Sequence, residues 1–354
     1  MKQLSSIGLA ALLAIGPFSV TSSMAADKGV AYVSNQDGGV TVIDLDTMDT
    51  AGTIDIQAKG PRGIGVTADG KLLITANKDD GNISVIDTAT GQLVKHIEVG
   101  KNPEFVRVLG DKVFVSTEPS SKGGPPPKPG DVVKEDDDND EAKEPARIAV
   151  VDLKLGKKVR EIVGGPETEG IEFSKDGKKL IITNEADNTI TVHNLKTGKL
   201  LKTISTKKYG DRPRGIKVSP DGSIYVSTLE YGNKFLVLDR NFKVLRTVDT
   251  GNAPYGIAFD REGKRIFVAS SKDKVLQAFD AKTFEKIKDV PTGNRCWHFS
   301  FTPDDKQILL ACGKSDAVFV IDAEKLEQVK QIGDKDMPWG VVTYPKSMGS
   351  LDKP

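Results

Sequence analysis

An apolar pair ending in Asp or Asn recurs seven times along this chain, and no other feature restricts its fold so strongly. The copies are Val42-Ile43-Asp44, Val85-Ile86-Asp87, Val150-Val151-Asp152, Val192-His193-Asn194 (with His in second place), Val237-Leu238-Asp239, Ala278-Phe279-Asp280 and Val320-Ile321-Asp322. Successive copies lie 43, 65, 42, 45, 41 and 42 residues apart, so one unit carries an insertion. A second marker, Pro-x-Gly-Ile/Val or a decayed form, keeps the same count: Pro61-Arg62-Gly63-Ile64, Pro103-Glu104-Phe105-Val106, Gly170-Ile171, Pro213-Arg214-Gly215-Ile216, Pro254-Tyr255-Gly256-Ile257, Cys296-Trp297-His298-Phe299 and Pro338-Trp339-Gly340-Val341. A period of this length signals a repeat architecture in which no unit buries its apolar faces alone.

Inside a unit the marker opens a short apolar run, a turn follows, and three further runs are separated by Gly, Asn and Asp. Turns such as Ala68-Asp69-Gly70-Lys71 and Pro220-Asp221-Gly222-Ser223 supply the positive φ of tight hairpins. Runs such as Leu72-Leu73-Ile74-Thr75 and Ile83-Ser84-Val85-Ile86 read as strands. Each unit is therefore a four-stranded antiparallel sheet, strands A to D from inside to outside. A sheet with two faces to cover stacks radially, which predicts an all-β, seven-bladed β-propeller. The front of the chain offers B, C and D strands near Val30, Val42 and Ile54, and the end offers a lone A strand, Gly340-Val341-Val342-Thr343. Three N-terminal strands plus one C-terminal strand then close the ring and leave no open edge. A linear solenoid would need capping repeats, and none is visible.

Residues 1–25 read as an export signal: Lys2, an apolar run from Ile7 to Val20, then Ser23-Met24-Ala25-Ala26, with cleavage expected after Ala25. The run is too short, and too broken by Gly16-Pro17, to span ~30 Å of hydrocarbon. The expectation is a periplasmic protein, a single domain over 26–354 with no transmembrane segment after signal removal. Lys+Arg and Asp+Glu both number 50, without a basic cluster, which argues against a nucleic-acid partner. Three scattered His cannot build a multi-His metal centre, and no C-x-x-C-H is present to attach a haem covalently. No metal site and no covalently attached cofactor is expected.

The insertion lies between Glu118 and Arg147, rich in Pro (Pro125-Pro126-Pro127) and in acid (Glu135 to Glu141). Such a composition buries too little apolar surface to fold, so a disordered loop over about 118–147 is expected. An EF-hand reading of Asp136, Asp138 and Asp140 fails, because its sixth position is Glu141 and its twelfth is Arg147. A weak calcium site or a docking tag for a cationic partner is the alternative to a plain solvated loop.

The ends of the B strands read Tyr32-Val33-Ser34-Asn35, Thr75-Ala76-Asn77, Val115-Ser116-Thr117, Ile182-Thr183-Asn184, Tyr225-Val226-Ser227-Thr228, Phe267-Val268-Ala269-Ser270 and Leu310-Ala311-Cys312. This resembles the YVTN-repeat β-propellers across nearly the whole mature chain. Signal peptide, blade count and insertion look most like the exported propeller proteins that accompany pyrroloquinoline quinone-dependent alcohol catabolism. That resemblance implies a non-catalytic binding or scaffold role beside a periplasmic dehydrogenase or cytochrome. Other members of the broader family open lactones or, with eight blades, bind haem d1.

The D–A and B–C connections of a propeller emerge on one face, so the marker residues form a ring at the channel mouth: Arg62, Glu104, Glu167, Glu169, Arg214, Tyr255, Trp297, His298 and Trp339. Arg62 and Arg214 have the chemistry to clamp a small anionic ligand, and the tryptophans to stack on a planar one. Alternatively, the aromatics plug the channel and the charges pair among themselves. In a lactonase, Glu104 or Glu169 would be the base and Arg62 or Arg214 the oxyanion stabiliser; in a haem d1 protein, His298 would be the axial ligand. His298 stands where other units carry Gly63, Gly215, Gly256 and Gly340, and it either faces the channel or packs. His96 and His193 read as surface or blade-packing residues. Around the turn Pro303 to Lys306, A and B strands pair so that Cys296 and Cys312 face each other ~4 to 7 Å apart by Cα, which predicts a disulfide.

Overall fold

The computed structural model describes residues 28–119, 145–349 and 351–353; the expected signal peptide and most of the insertion lie outside the described residues. Apolar residues on both faces of each inner strand drive sheet against sheet, and among the described residues twenty-eight strands, β1 to β28 in chain order, form seven four-stranded antiparallel sheets. Blade 1 joins β28 (Pro338–Tyr344) to β1 (Val30–Asn35), β2 (Val40–Asp44) and β3 (Asp49–Ile54), so the ring closes with three N-terminal strands and one C-terminal strand. Blades 2 to 7 follow in chain order, with innermost strands β4 (Pro61–Val66), β8 (Pro103–Leu109), β12 (Thr168–Phe173), β16 (Pro213–Val218), β20 (Pro254–Phe259) and β24 (Cys296–Phe301). The innermost strands are almost wholly buried, whereas outer strands such as Leu200–Ser205 are mostly exposed. One short 3-10 turn, Gly313–Ser315, interrupts the strands.

The edges of the insertion are better ordered than its composition predicts. Arg147 opens a strand, Arg147–Asp152, and Glu118 is buried at 6% exposure directly after the strand Lys112–Thr117. The assignment of Glu118 to a solvated loop is therefore corrected: it belongs to the ordered blade. The Cys296–Cys312 pair is joined in a disulfide across β24 and its neighbour, with Cα atoms 3.8 Å apart, just below the expected interval.

Candidate functional site at the rim of the axial channel

A β-bulge places each marker side chain. In β4, Pro61 faces Asn77 while Ile64 faces Thr75, so Arg62 and Gly63 share one extra step. The same slip occurs in β8, β12, β16, β20 and β24. Bulges bend a strand and re-aim its side chains, here toward the rim where neighbouring blades meet. The marker glycine permits that closeness. A Cβ on Gly63, Gly170, Gly215 or Gly256 would lie 2.5, 2.5, 2.7 or 2.4 Å from a carbonyl oxygen of the next blade.

On this rim the charged residues engage one another. Glu104 forms an ion pair with Arg62, whose Nε also donates to Gln36 Oε1 at 2.9 Å. Arg214 holds Glu169 Oε2 at 3.1 Å and Glu230 Oε2 at 2.7 Å and pairs with Glu185, which also pairs with Arg212. Tyr255 donates its hydroxyl to Glu169 at 2.6 Å while its ring lies 4.7 Å from the Arg214 guanidinium carbon. The proposed clamp of an external carboxylate by Arg62 and Arg214 therefore meets two arginines already filled by the chain's own carboxylates. Glu167 is only partly buried, and its carbonyl accepts from the Glu185 amide at 2.8 Å.

The titration behaviour follows from these partners. Burial pushes the Glu230 carboxyl up, but Arg214 and Arg212 outweigh it and hold it below the usual range. Burial raises Glu104 despite the opposing Arg62. Glu118 is raised furthest, first by burial and then by the charges of Glu104 and Glu169. Its Oε1 is buried without a hydrogen-bond partner, and Oε2 receives only a long 3.4 Å bond from Asn102. One carboxylate oxygen from each of Glu118, Glu169 and Glu185 lies within 4.8 Å of the other two.

Beneath the rim the aromatics fill the axis. His298 packs against Trp339 at 4.4 Å, Tyr255 at 5.2 Å and Phe105 at 5.5 Å between ring centroids. Trp339 and His298 are each 2% exposed, so stacking on a planar ligand would require these rings to separate. The cavity beside His298 measures about 10 Å³, room for one water at its unpartnered Nε2. Burial, reinforced by Lys217 and Arg214, lowers its pKa to about 3, so the imidazole is neutral. Trp297 instead covers Gly313, where a Cβ would fall 2.0 Å from its ring, and Arg295 lies over its outer face. His193 is buried within its blade with its ring 3.2 Å from the Gly198 carbonyl, whereas His96 is exposed on an outer strand, its ring 3.1 Å from the Ile56 carbonyl.

The far end of the channel is sealed by the chain itself. After β28 the tail turns inward and buries Leu351, Asp352 and Lys353. Asp352 accepts from the amides of Val66 at 3.1 Å and Val108 at 3.0 Å, and pairs with Lys346 at 2.9 Å and Arg107 at 3.4 Å. Lys353 pairs with Glu172 at 3.1 Å; burial raises that carboxyl, yet Lys353, Arg107 and Lys217 carry it down to about 2. Sequence reasoning missed this plug because a ten-residue tail, 345–354, carries no periodic signal.

It also missed Glu118, Glu185 and Glu230, although a signal existed. In three successive blades the residue right after the B strand is Glu, following Thr117, Asn184 and Leu229. Attention to the Pro-x-Gly marker alone found one circle of the rim and left the second.

A family model described as "Lactonase, 7-bladed beta-propeller" matches residues 152–244. No curated protein sequence matches the chain. Among solved structures, Kuenenia stuttgartiensis hydrazine synthase is similar at 20% identity, covering 85% of this chain and 94% of that one, with a TM-score of 0.71. A putative 6-phosphogluconolactonase from Bacteroides uniformis aligns at 17% identity over 89% and 99%, TM-score 0.70. The dihydro-haem d1 dehydrogenase NirN aligns at 18% identity over 89% and 75%, TM-score 0.65. Identities this low establish the shared fold and nothing finer. The chain is thus a seven-bladed β-propeller in which the segment forming the fourth and most of the fifth blade is similar to the lactonase propellers.

Proposed function

We propose that this protein is an exported, non-catalytic binding component of quinoprotein alcohol oxidation, which engages its ligand or partner at the carboxylate-rich rim. The observation carrying this reading is that the rim's arginines are saturated by glutamates, which favours a cationic ligand or a basic protein surface over an anionic one. A base and an oxyanion stabiliser that neutralise each other are poorly set to start a reaction. Export and the quinoprotein association rest on the leader pattern and on the family resemblance.

Lactone hydrolysis is the second reading, favoured because the matched segment 152–244 contains Glu169, Glu185, Arg212, Arg214 and Glu230. Glu118, the rim carboxyl with an unpartnered oxygen and a raised pKa, would be its natural base. The two readings part on one experiment: titration of acid release from γ- and δ-lactones and 6-phosphogluconolactone, beside binding of a basic cytochrome c. Binding that weakens with salt, without turnover, is expected. Turnover abolished by Arg214→Ala would replace the binding reading with the hydrolytic one.

A further inference from the structure

Six glutamates, Glu104, Glu118, Glu167, Glu169, Glu185 and Glu230, interact at the rim with three arginines, Arg62, Arg212 and Arg214. Lys78 and Arg295 act on this group only as secondary influences. A surplus of buried carboxylate is costly unless something neutralises it. The surplus is also focused. Glu118 is 6% exposed and presents Oε1 without any hydrogen-bond partner, and Asn102 fixes the residue through a 3.2 Å bond to its carbonyl.

The geometry points to a divalent-cation site, suited to Ca²⁺ by its protein carboxylate ligands, built from Glu118, Glu169 and Glu185. Ca²⁺ takes six to eight oxygen ligands in a flexible geometry and is readily caged by protein carboxylates, whereas Mg²⁺ demands near-ideal octahedral geometry and usually keeps several waters. The three carboxylates each offer one oxygen, and these oxygens lie within 4.8 Å of one another, close enough to share one ion. An all-carboxylate donor set suits a hard cation and not the softer, histidine-seeking metals. Arg214 remains in place beside the ion, because each carboxylate oxygen has lone pairs for both a guanidinium and a metal. Tyr255 and Arg214 fix Glu169, and Arg212 and Arg214 fix Glu185, so only Glu118 has to adjust. This deepens the proposed cationic ligand at the rim, but its test does not depend on whether the protein turns over a lactone.

The test uses the full chain stripped with EDTA and titrated with CaCl₂ and MgCl₂ by calorimetry. One Ca²⁺ per chain is expected, bound at least tenfold more tightly than Mg²⁺. Glu118→Gln should weaken Ca²⁺ at least tenfold while melting no lower than the parent in EDTA, since it removes an unpartnered buried acid. The triple variant Asp136→Asn, Asp138→Asn, Asp140→Asn should bind Ca²⁺ as the parent does. A second readout is independent of folding in the variant. Tb³⁺ in this site should give emission sensitised by Tyr255, which Ca²⁺ quenches by displacement; residues 118–147 contain no Tyr or Trp to imitate it. Absent Ca²⁺ binding, absent sensitised Tb³⁺ emission, or binding lost in the Asp triple variant but kept in Glu118→Gln would overturn the site.

Discussion

His298 shows how one side chain can look like chemistry in a sequence and be packing in a fold. Its position normally belongs to glycine, which made it distinctive, and the structure places it among Trp339, Tyr255 and Phe105 with Lys217 and Arg214 as the charges it senses. Its pKa of about 3 in the fold lies below the ordinary imidazole value. Between pH 6.5 and 3 the unfolded chain therefore binds the extra proton, and stability must fall as the pH is lowered through that window. His298→Phe keeps a ring in place and deletes the titration. Relative to the parent, this variant should gain about 2 kcal/mol of stability between pH 7 and pH 5, read from urea midpoints. An unchanged difference across that range would mean the imidazole is already charged in the fold. Glu118 is the opposite case: it lay at the edge of a segment whose composition reads as solvent-exposed, so its burial was invisible until the neighbouring blades were in place.

At the scale of strands, the Ser/Thr of the B-strand motif has a physical task that the repeat pattern alone does not reveal. Thr183 accepts from the Gly170 amide at 2.7 Å within its own blade and donates to the Arg214 carbonyl of the next blade at 2.7 Å. Thr228 does the same between Gly215 at 3.0 Å and Tyr255 at 2.6 Å, and Ser34 links Gly340 to the Arg62 carbonyl. The bulge frees an amide from the ladder, the hydroxyl captures it, and the same hydroxyl ties the blade to its neighbour. Thr183→Val, nearly isosteric, should leave the buried Gly170 amide unpaired and cost about 1–3 kcal/mol in chemical denaturation. A loss no larger than that of a surface Thr→Val control would refute the role. The strands, their order and the Cys296–Cys312 pairing were legible because period-two alternation and hairpin arithmetic are local. The bulges were not, since a one-residue slip leaves no trace in hydrophobicity.

For the whole molecule, closure has two parts, and only one was written in the repeats. The first is the composite blade, in which β28 pairs with β1. The second is the tail beyond β28, which enters the lower end of the channel and binds strands of several blades from within: Asp352 takes amides from β4 and β8, Leu351 donates to Ser300 of β24 at 2.9 Å, and Lys353 reaches Glu172 of β12. A central pin of this kind couples blades that share no edge, so its loss should loosen the ring as a unit. Asp352 is fully buried, and its charge is balanced by Arg107 and Lys346. Asp352→Asn keeps the size but leaves Lys346 without its carboxylate and Arg107 with Glu172 as its one buried counter-charge, for which a loss of about 3–5 kcal/mol is expected. If the tail is a pin, hydrogen exchange in this variant should accelerate at Val66 and Val108 and also in blades 4 and 7, which the tail reaches through Lys353 and Leu351. Acceleration confined to Val66 and Val108 would reduce Asp352 to a local cap and leave ring closure to β28 alone.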